Sequence, residues 1–271
     1  MEYMKRIIKR LTAAFLAAMC LLLWGCTETD SPETPTEKPT LIIGSDIYSP
    51  YFYLDDNGDF AGIDVEIAKE ACRRLGVTPK FKQILWEDKD TCLNNGDVDC
   101  LWGSFSMNGR EDSYAWAGPY MYSRQVVVVK ATSDIHTLKD LNGKCIAVQN
   151  ASKPDELFSN DAINGVSVKK VYSFSAMSDV FAALKKEYVD ACAGHETACF
   201  YHIRNVSGDY RVLDEALLSA NLGVAFNKEA GAKRAEQLAA VFAEMKNDGT
   251  IRKILEKYPL DIEFALKGIE K

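Results

Sequence analysis

Three observations in the sequence predict an α/β protein of two lobes. Short apolar runs that end in small polar loops alternate with amphipathic stretches of helical spacing. The alternation occurs in the first half of the chain and again in the second. Two further apolar runs, Val126–Val129 and Leu222–Phe226, lie where the chain would pass between the two units. Strand, helix and parallel strand in succession place ligand loops at the carboxyl ends of a mostly parallel sheet. Two such units joined by two extended crossings leave a cleft between them and permit hinge closure.

The chain opens with a basic stretch, Lys5 to Arg10, and the apolar run Leu11–Trp24. That run is too short for an ordinary spanning helix and reads as an address, not as part of the fold. Thr27–Thr40 (TETDSPETPTEKPT) is rich in Pro, Thr and Glu, builds no core and reads as a tether. Leu41–Ser45 is a buried strand leading to Asp46 and the aromatic loop Ile47–Tyr53, and Asn57-Gly58 marks a turn. From Gly62 to Leu75 the residues Ile67, Ala68, Ala71, Cys72 and Leu75 keep helical spacing, with Asp64 near the start and Gly76 as the stop. A strand at Lys80–Ile84 and a short helix at about 87–95, closed by Gly96, lead to a third strand at Val98–Trp102.

The second unit repeats the pattern. Lys144–Val148 is a strand, and Ser152 N-caps the next helix with Pro154 in its first turn, so that free N–H groups point out of the helix start. A strand at Val166–Tyr172 precedes a helix that sets Met177, Val180, Phe181 and Leu184 on one face. The strand Val189–Ala193 runs into Gly194-His195-Glu196. After the Leu222–Phe226 strand come two helices, about 229–246 and 250–258, split at Asn247-Asp248-Gly249.

The stretch from Val98 to Tyr122 organises the functional reading. Its strand breaks into Gly103-Ser104-Phe105-Ser106, and four residues later stands Arg110. Such a strand end presents bare backbone, hydroxyls and a guanidinium fork at one point, a set that suits a carboxylate. A surface arginine in a solvated loop is the plain alternative. Asp46 lies at another strand end of the same unit, which argues for one shared site.

The length allows two domains with a core each, and 47% hydrophobic with 26% charged residues is a globular composition. The net charge is −7, and residues 1–26 are themselves basic, so the body is more acidic still. An acidic body argues against nucleic acid as a partner. Cys72, Cys92, Cys100, Cys145, Cys192 and Cys199 allow fifteen pairings between which sequence does not choose, and buried free thiols fit the same apolar positions. No His/Cys spacing suits zinc, and no Ser-His-Asp set or phosphate loop is apparent, so neither metal nor cofactor is expected.

Several short stretches in fixed order resemble the bacterial family 3 extracellular solute-binding proteins, over some four-fifths of the chain. They are Gly44-Ser45-Asp46 with Ser49–Phe52, Gly62–Ala68, Leu93–Asp99 (LNNGDVD), Ser106 with Arg110, and Trp116–Tyr120 (WAGPY). Leu138–Lys144, Val148-Gln149, Val189–Ala191 and Leu222–Ala225 complete the set. The resemblance implies a periplasmic-binding-protein fold: lobe 1 at 41–122 and 222–271, lobe 2 at 123–221, and a two-strand hinge. It also implies capture of an amino acid for the permease of an ABC importer, by a monomer and without catalysis. Leu23-Trp24-Gly25-Cys26 resembles a bacterial lipobox, which would make 1–26 a lipoprotein signal peptide, 27–40 a tether and lipidated Cys26 the membrane anchor of an extracytoplasmic protein.

By the same resemblance Arg110 would grip the ligand carboxylate, with Ser106 and, across the cleft, Ser152 and the Lys153 N–H. Gly103 and Ser104 would face the ammonium; Asp46, Tyr48 and Phe52 would meet the ligand side chain. For Tyr48, Tyr51, Phe52 and Trp86 core packing is the alternative. Two positions depart from the family: the Ser106–Arg110 loop is one residue shorter, and His195, followed by Glu196, stands where an aspartate usually binds the ammonium. A dehydratase-like enzyme with Glu196 as acid or base, or a ligand sensor, would be the other uses of this fold.

Overall fold

The computed structural model describes residues 38–267 and Met4. Apart from Met4, the expected signal segment, with Cys26, and residues 27–37 of the tether lie outside the described residues. The chain proceeds through β1 (Thr40–Ser45), the hairpin β2 (Tyr53–Leu54) and β3 (Phe60–Ala61), α1 (Ile63–Leu75), β4 (Thr78–Gln83), α2 (Lys89–Asn94) and β5 (Cys100–Leu101). Then come β6 (Ala115–Lys130), β7 (Cys145–Gln149), α3 (Lys153–Ser159), β8 (Lys170–Phe174), α4 (Met177–Lys185), β9 (Ala191–His195) and α5 (Glu196–Asn205). The chain closes with β10 (Tyr210–Val212), β11 (Leu218–Phe226), α6 (Ala232–Asn247), α7 (Thr250–Leu255) and α8 (Ile262–Lys267).

Nine of these strands form one sheet in the order β4-β1-β5-β11-β6-β9-β7-β8, with β10 also on β6. At one end β1 pairs in parallel with β4 and β5; at the other β7 pairs in parallel with β8 and β9. β6 and β11 run antiparallel between them and join the two α/β lobes. The 16-residue β6 has its Trp116 end beside β11 and its Val126–Val129 end beside β9, so one strand serves both lobes.

Alternation along β6 divides the core. Val126 and Val128 join one cluster that reaches from Ile43 and Trp102 to Phe181. Val127 and Val129 face a separate core with Ile146, Phe158 and Ala193. A third cluster, with Ile84, Trp86, Leu101 and Phe105, is built from the first lobe, with Ala151 of the second packed against it. One face of the sheet thus carries a core shared by both lobes, and the other carries two cores, one for each.

Several element boundaries differ from expectation. The strand expected at Val98–Trp102 is only two residues long, because the Asp99 carboxylate, not a backbone carbonyl, accepts the Ile42 N–H at 2.7 Å. The strand expected from Val166 starts at Lys170, since Val166 is buried from a loop beside Gly165, whose φ is 75°. Helix α5 has no sequence signature because Thr197, Ala198 and Cys199 are buried consecutively, without helical period. All six cysteines of the body are unpaired. Among the described residues no helix is long and apolar enough to cross a membrane.

Candidate functional site

The first-lobe wall of the cleft follows β5. Gly103 lies so close to β1 that an added Cβ would stand 2.0 Å from Ser45 Oγ, which only glycine avoids. Ser104 next takes a left-handed backbone, φ 45°, and its N–H donates to Asp64 Oδ2 at 2.7 Å. Asp64, in the first turn of α1, also accepts from the Tyr120 hydroxyl at 2.7 Å. Burial dominates the Asp64 environment and pushes its pKa up to about 7 despite both donors. Phe105 anchors the loop in an aromatic cluster with Trp86, Tyr114 and Trp116.

Arg110 then turns back towards the strand end. Its guanidinium lies 5.3 Å from the centre of the Phe105 ring and donates to the Ser106 carbonyl at 3.4 Å. A second nitrogen donates across the cleft to Glu156 Oε2 of α3 at 2.8 Å. Lys153 Nζ reaches the other oxygen of Glu156 at 2.5 Å. Ser152 is the N-cap of α3, its hydroxyl accepting from the Asp155 N–H at 3.3 Å.

Asp46, at the end of β1, is buried, and this burial lifts its pKa to about 6. A hydrogen bond from Gln149 Nε2 at 2.5 Å, which crosses from β7 of the second lobe, and the charge of Lys89 work against that rise. The Tyr48 hydroxyl likewise crosses the cleft, accepting from the His195 N–H at 3.1 Å. Gly194 makes room for it: a Cβ there would meet Met177 Cε at 2.4 Å and Tyr48 Oη at 3.0 Å. His195 is fully enclosed; burial drives its pKa down to about 3, so the ring is neutral at pH 7.

These groups surround one cavity between the two lobes. Asp46, Tyr48, Gly103, Ser104, Ser106, Arg110, Ser152, Lys153 and His195 all line it. Two expected residues do not. Phe52 points to the far side of its loop, fully buried, with its ring 4.8 Å from Phe60 and 5.9 Å from Phe81. Glu196 begins α5 beside the cavity-lining His195 but faces away, held by Arg124 at 2.9 Å. That placement removes the carboxylate on which the dehydratase-like reading depended. Trp86, for which core packing was the alternative, also lines the cavity, as do Phe105, Gln125, Gln149, Pro154, Ala193 and Gly194, which were not among the expected contacts. For Gln149 a signal was present, a polar side chain at the end of a buried apolar strand run; Gln125, inside β6, carried none. Among the described residues no His, Cys, Asp and Glu gather in a group fit for a metal.

Two α/β lobes on a two-strand hinge, with polar groups from both around one cavity, define a periplasmic-binding-protein fold. The model of the bacterial extracellular solute-binding proteins, family 3, matches residues 41–261, and the chain belongs to that family. It is 27% identical over 226 residues to the L-cystine-binding protein TcyA of Bacillus subtilis, covering 82% of each chain. It is 28% identical to the histidine-binding periplasmic protein of Escherichia coli, over 80% of this chain and 86% of the relative. Among solved structures, an ancestral arginine-binding protein bound to arginine superposes with a TM-score of 0.73 at 29% identity, covering 82% of this chain and 98% of that one.

Proposed function

We propose that this protein captures an amino acid between its lobes outside the cytoplasm and delivers it to the permease of an ABC importer. One observation carries the reading: Arg110 and Ser106 of the first lobe and Ser152 and Lys153 of the second line the same cavity. A carboxylate there meets a guanidinium fork, two hydroxyls and the Lys153 backbone N–H, which together cover its charge and lone pairs. The relatives named for cystine, histidine and arginine favour an amino acid as the carboxylate's bearer. Asp46, Tyr48 and Trp86 are assigned to its side chain and Ser104 to its amino end; all four line the cavity, which supports the assignment.

Lobe 1 is assigned to 41–122 with 222–271, and lobe 2 to 123–221. The division falls at the paired residues Tyr122 and Asn221 of β6 and β11, which supports a hinge there. Residues 1–26 are assigned as a lipoprotein signal peptide, Cys26 as the lipidated anchor, and the body as a monomer that binds without catalysis. A thermal-shift screen against the protein amino acids and cystine tests the capture. A ligand at 100 times its Kd adds about 2.7 kcal/mol to folding stability. No shift with any of them at millimolar concentration would refute the reading.

A further inference from the structure

Gln125 of β6 stands immediately before the Val126–Val129 run, is 1% exposed and lines the cavity. It is paired in register with His195 of β9, so the two side chains are neighbours on one face of the sheet. A neutral imidazole has one N–H and one lone pair. That lone pair can accept from an amide NH2. The Gln125 amide turns its NH2 to the ring: Nε2 lies 2.9 Å from His195 Nε2 and 3.3 Å from Nδ1, and donates to Ser106 Oγ at 3.5 Å.

That orientation fixes the other end of the amide. Gln125 Oε1 is buried and has no hydrogen-bond partner among the described residues. One other side-chain atom shares that condition, Trp102 Nε1, and its ring lies in the core against Tyr120 and Phe242. Gln125 is the one of the two that borders the cavity. Buried carbonyls are met by donors in nearly all folded proteins, and an unmet one beside a cavity points to a donor on what the cavity takes.

We infer that Gln125 Oε1 accepts a hydrogen bond from the amino group of the captured amino acid, holding the cationic end by a neutral carbonyl. The inference rests on the amino-acid reading above. In an amino acid the amino nitrogen is two bonds from the carboxyl carbon, so the carboxylate seat fixes where it lies. Arg110 bonds the Ser106 carbonyl, and the Ser106 hydroxyl accepts from Gln125 Nε2, so Ser106 links the seat to the amide whose carbonyl is free. Asp46 is the single carboxylate among the lining residues, and the second lobe's Gln149 already donates to it.

The test is calorimetric titration of the full chain and its Gln125→Met and Gln125→Glu variants, with thermal melts to show that each is folded. Each is titrated with the amino acid found by the screen and with its des-amino counterpart. That counterpart is imidazolepropionate for histidine, guanidinovalerate for arginine and dithiodipropionate for cystine. Gln125→Met conserves volume but cannot accept, and should weaken the amino acid about 10- to 100-fold. It should leave the des-amino acid within about threefold, because that ligand never made the bond. Gln125→Glu keeps an acceptor and should recover most of the loss. Equal weakening of both ligands would assign Gln125 to the support of His195 and Ser106 and overturn the inference, as would unchanged binding of both. If wild type binds no amino acid, the amino-acid reading falls first, a result distinct from either.

Discussion

The two walls of the cleft are built differently. On the first-lobe side the polar groups are fixed from within their own lobe: Asp64 holds the Ser104 N–H, Ser45 abuts Gly103, and three aromatic rings hold Phe105. On the second-lobe side the Ser152 cap and the Lys153–Glu156 pair are local, but three groups also bond across the gap: Gln149 to Asp46, the His195 N–H to Tyr48, Glu156 to Arg110. The first wall is therefore completed when the lobe folds, the second in part then and in full only when the lobes meet. Substitutions behind the first should register in folding stability, and those on the second in lobe movement and ligand affinity.

The largest effect should come from Asp64→Ala. It leaves the Ser104 N–H and the Tyr120 hydroxyl without their acceptor, and each orphaned buried donor costs about 1–3 kcal/mol. Chemical denaturation should show a loss of roughly 2–6 kcal/mol; a loss below about 0.5 would mean that the first wall is not held this way. The pH dependence gives a second reading of the same group. Because the folded pKa of Asp64 is raised to about 7, the folded state keeps a proton that the unfolded chain releases near 4. Its contribution is thus fully present below about pH 4 and is lost as pH rises to 7, by a few kcal/mol. His195, lowered to about 3, acts in the opposite sense, its penalty vanishing as pH rises through 6.5. Asp64→Asn keeps an acceptor for Ser104 but cannot titrate, so its stability should climb more steeply than wild type between pH 4 and 7. Parallel curves for the two proteins would exclude Asp64 as the source.

Arg110→Ala tests the point where the walls meet. Truncating one partner of a buried charge pair costs roughly 2–5 kcal/mol, or about 30- to several-thousand-fold in affinity. Arg110→Lys keeps the charge but loses the fork and should bind nearly as weakly. Ser106→Ala should lose only about 1.5–3 kcal/mol. A folded Arg110→Ala protein that binds its amino acid within threefold of wild type would place the anchor elsewhere.

The same contrast governs what was readable in advance. Strand ends and the loops after them announce themselves by composition, which is why Asp46, the Gly103–Arg110 turn and the Ser152 cap could be placed from sequence. Residues inside strands do not: Gln125 sits in a 16-residue strand of which only Val126–Val129 showed as an apolar run. Neighbours in sequence also mislead where direction alternates. His195 and Glu196 are adjacent, yet one ends β9 inside the cavity and the other starts α5 outside it. Phe52 failed for a related reason, since its loop folds back on itself through the Tyr48–Phe52 bridge and sends the two rings apart. The full length of β6 and helix α5 required tertiary context that no local pattern carries.

The smallest effect on folding, and the sharpest test of the contrast, is expected from Glu156→Gln. Glu156 bonds both Arg110 and Lys153, but its side chain is 38% exposed, so solvent screens the pairs. Exposed ion pairs contribute about 0.2–1 kcal/mol, and global stability should move by no more than that. The pair to Arg110 nevertheless spans the cleft, so its loss falls on the balance between open and closed lobes. A bias of up to about 1 kcal/mol shifts that balance by as much as about fivefold. Small-angle scattering without amino acid should show the variant more expanded than wild type, and saturation with the amino acid should bring both to one compact profile, since the ligand carboxylate then bridges Arg110 to the second lobe. Raising salt should expand wild type towards the variant, because the pair is screened. If instead Glu156→Gln scatters like wild type but loses more than about 2 kcal/mol of stability, this contact belongs to the fold, and the second wall is no more dependent on closure than the first.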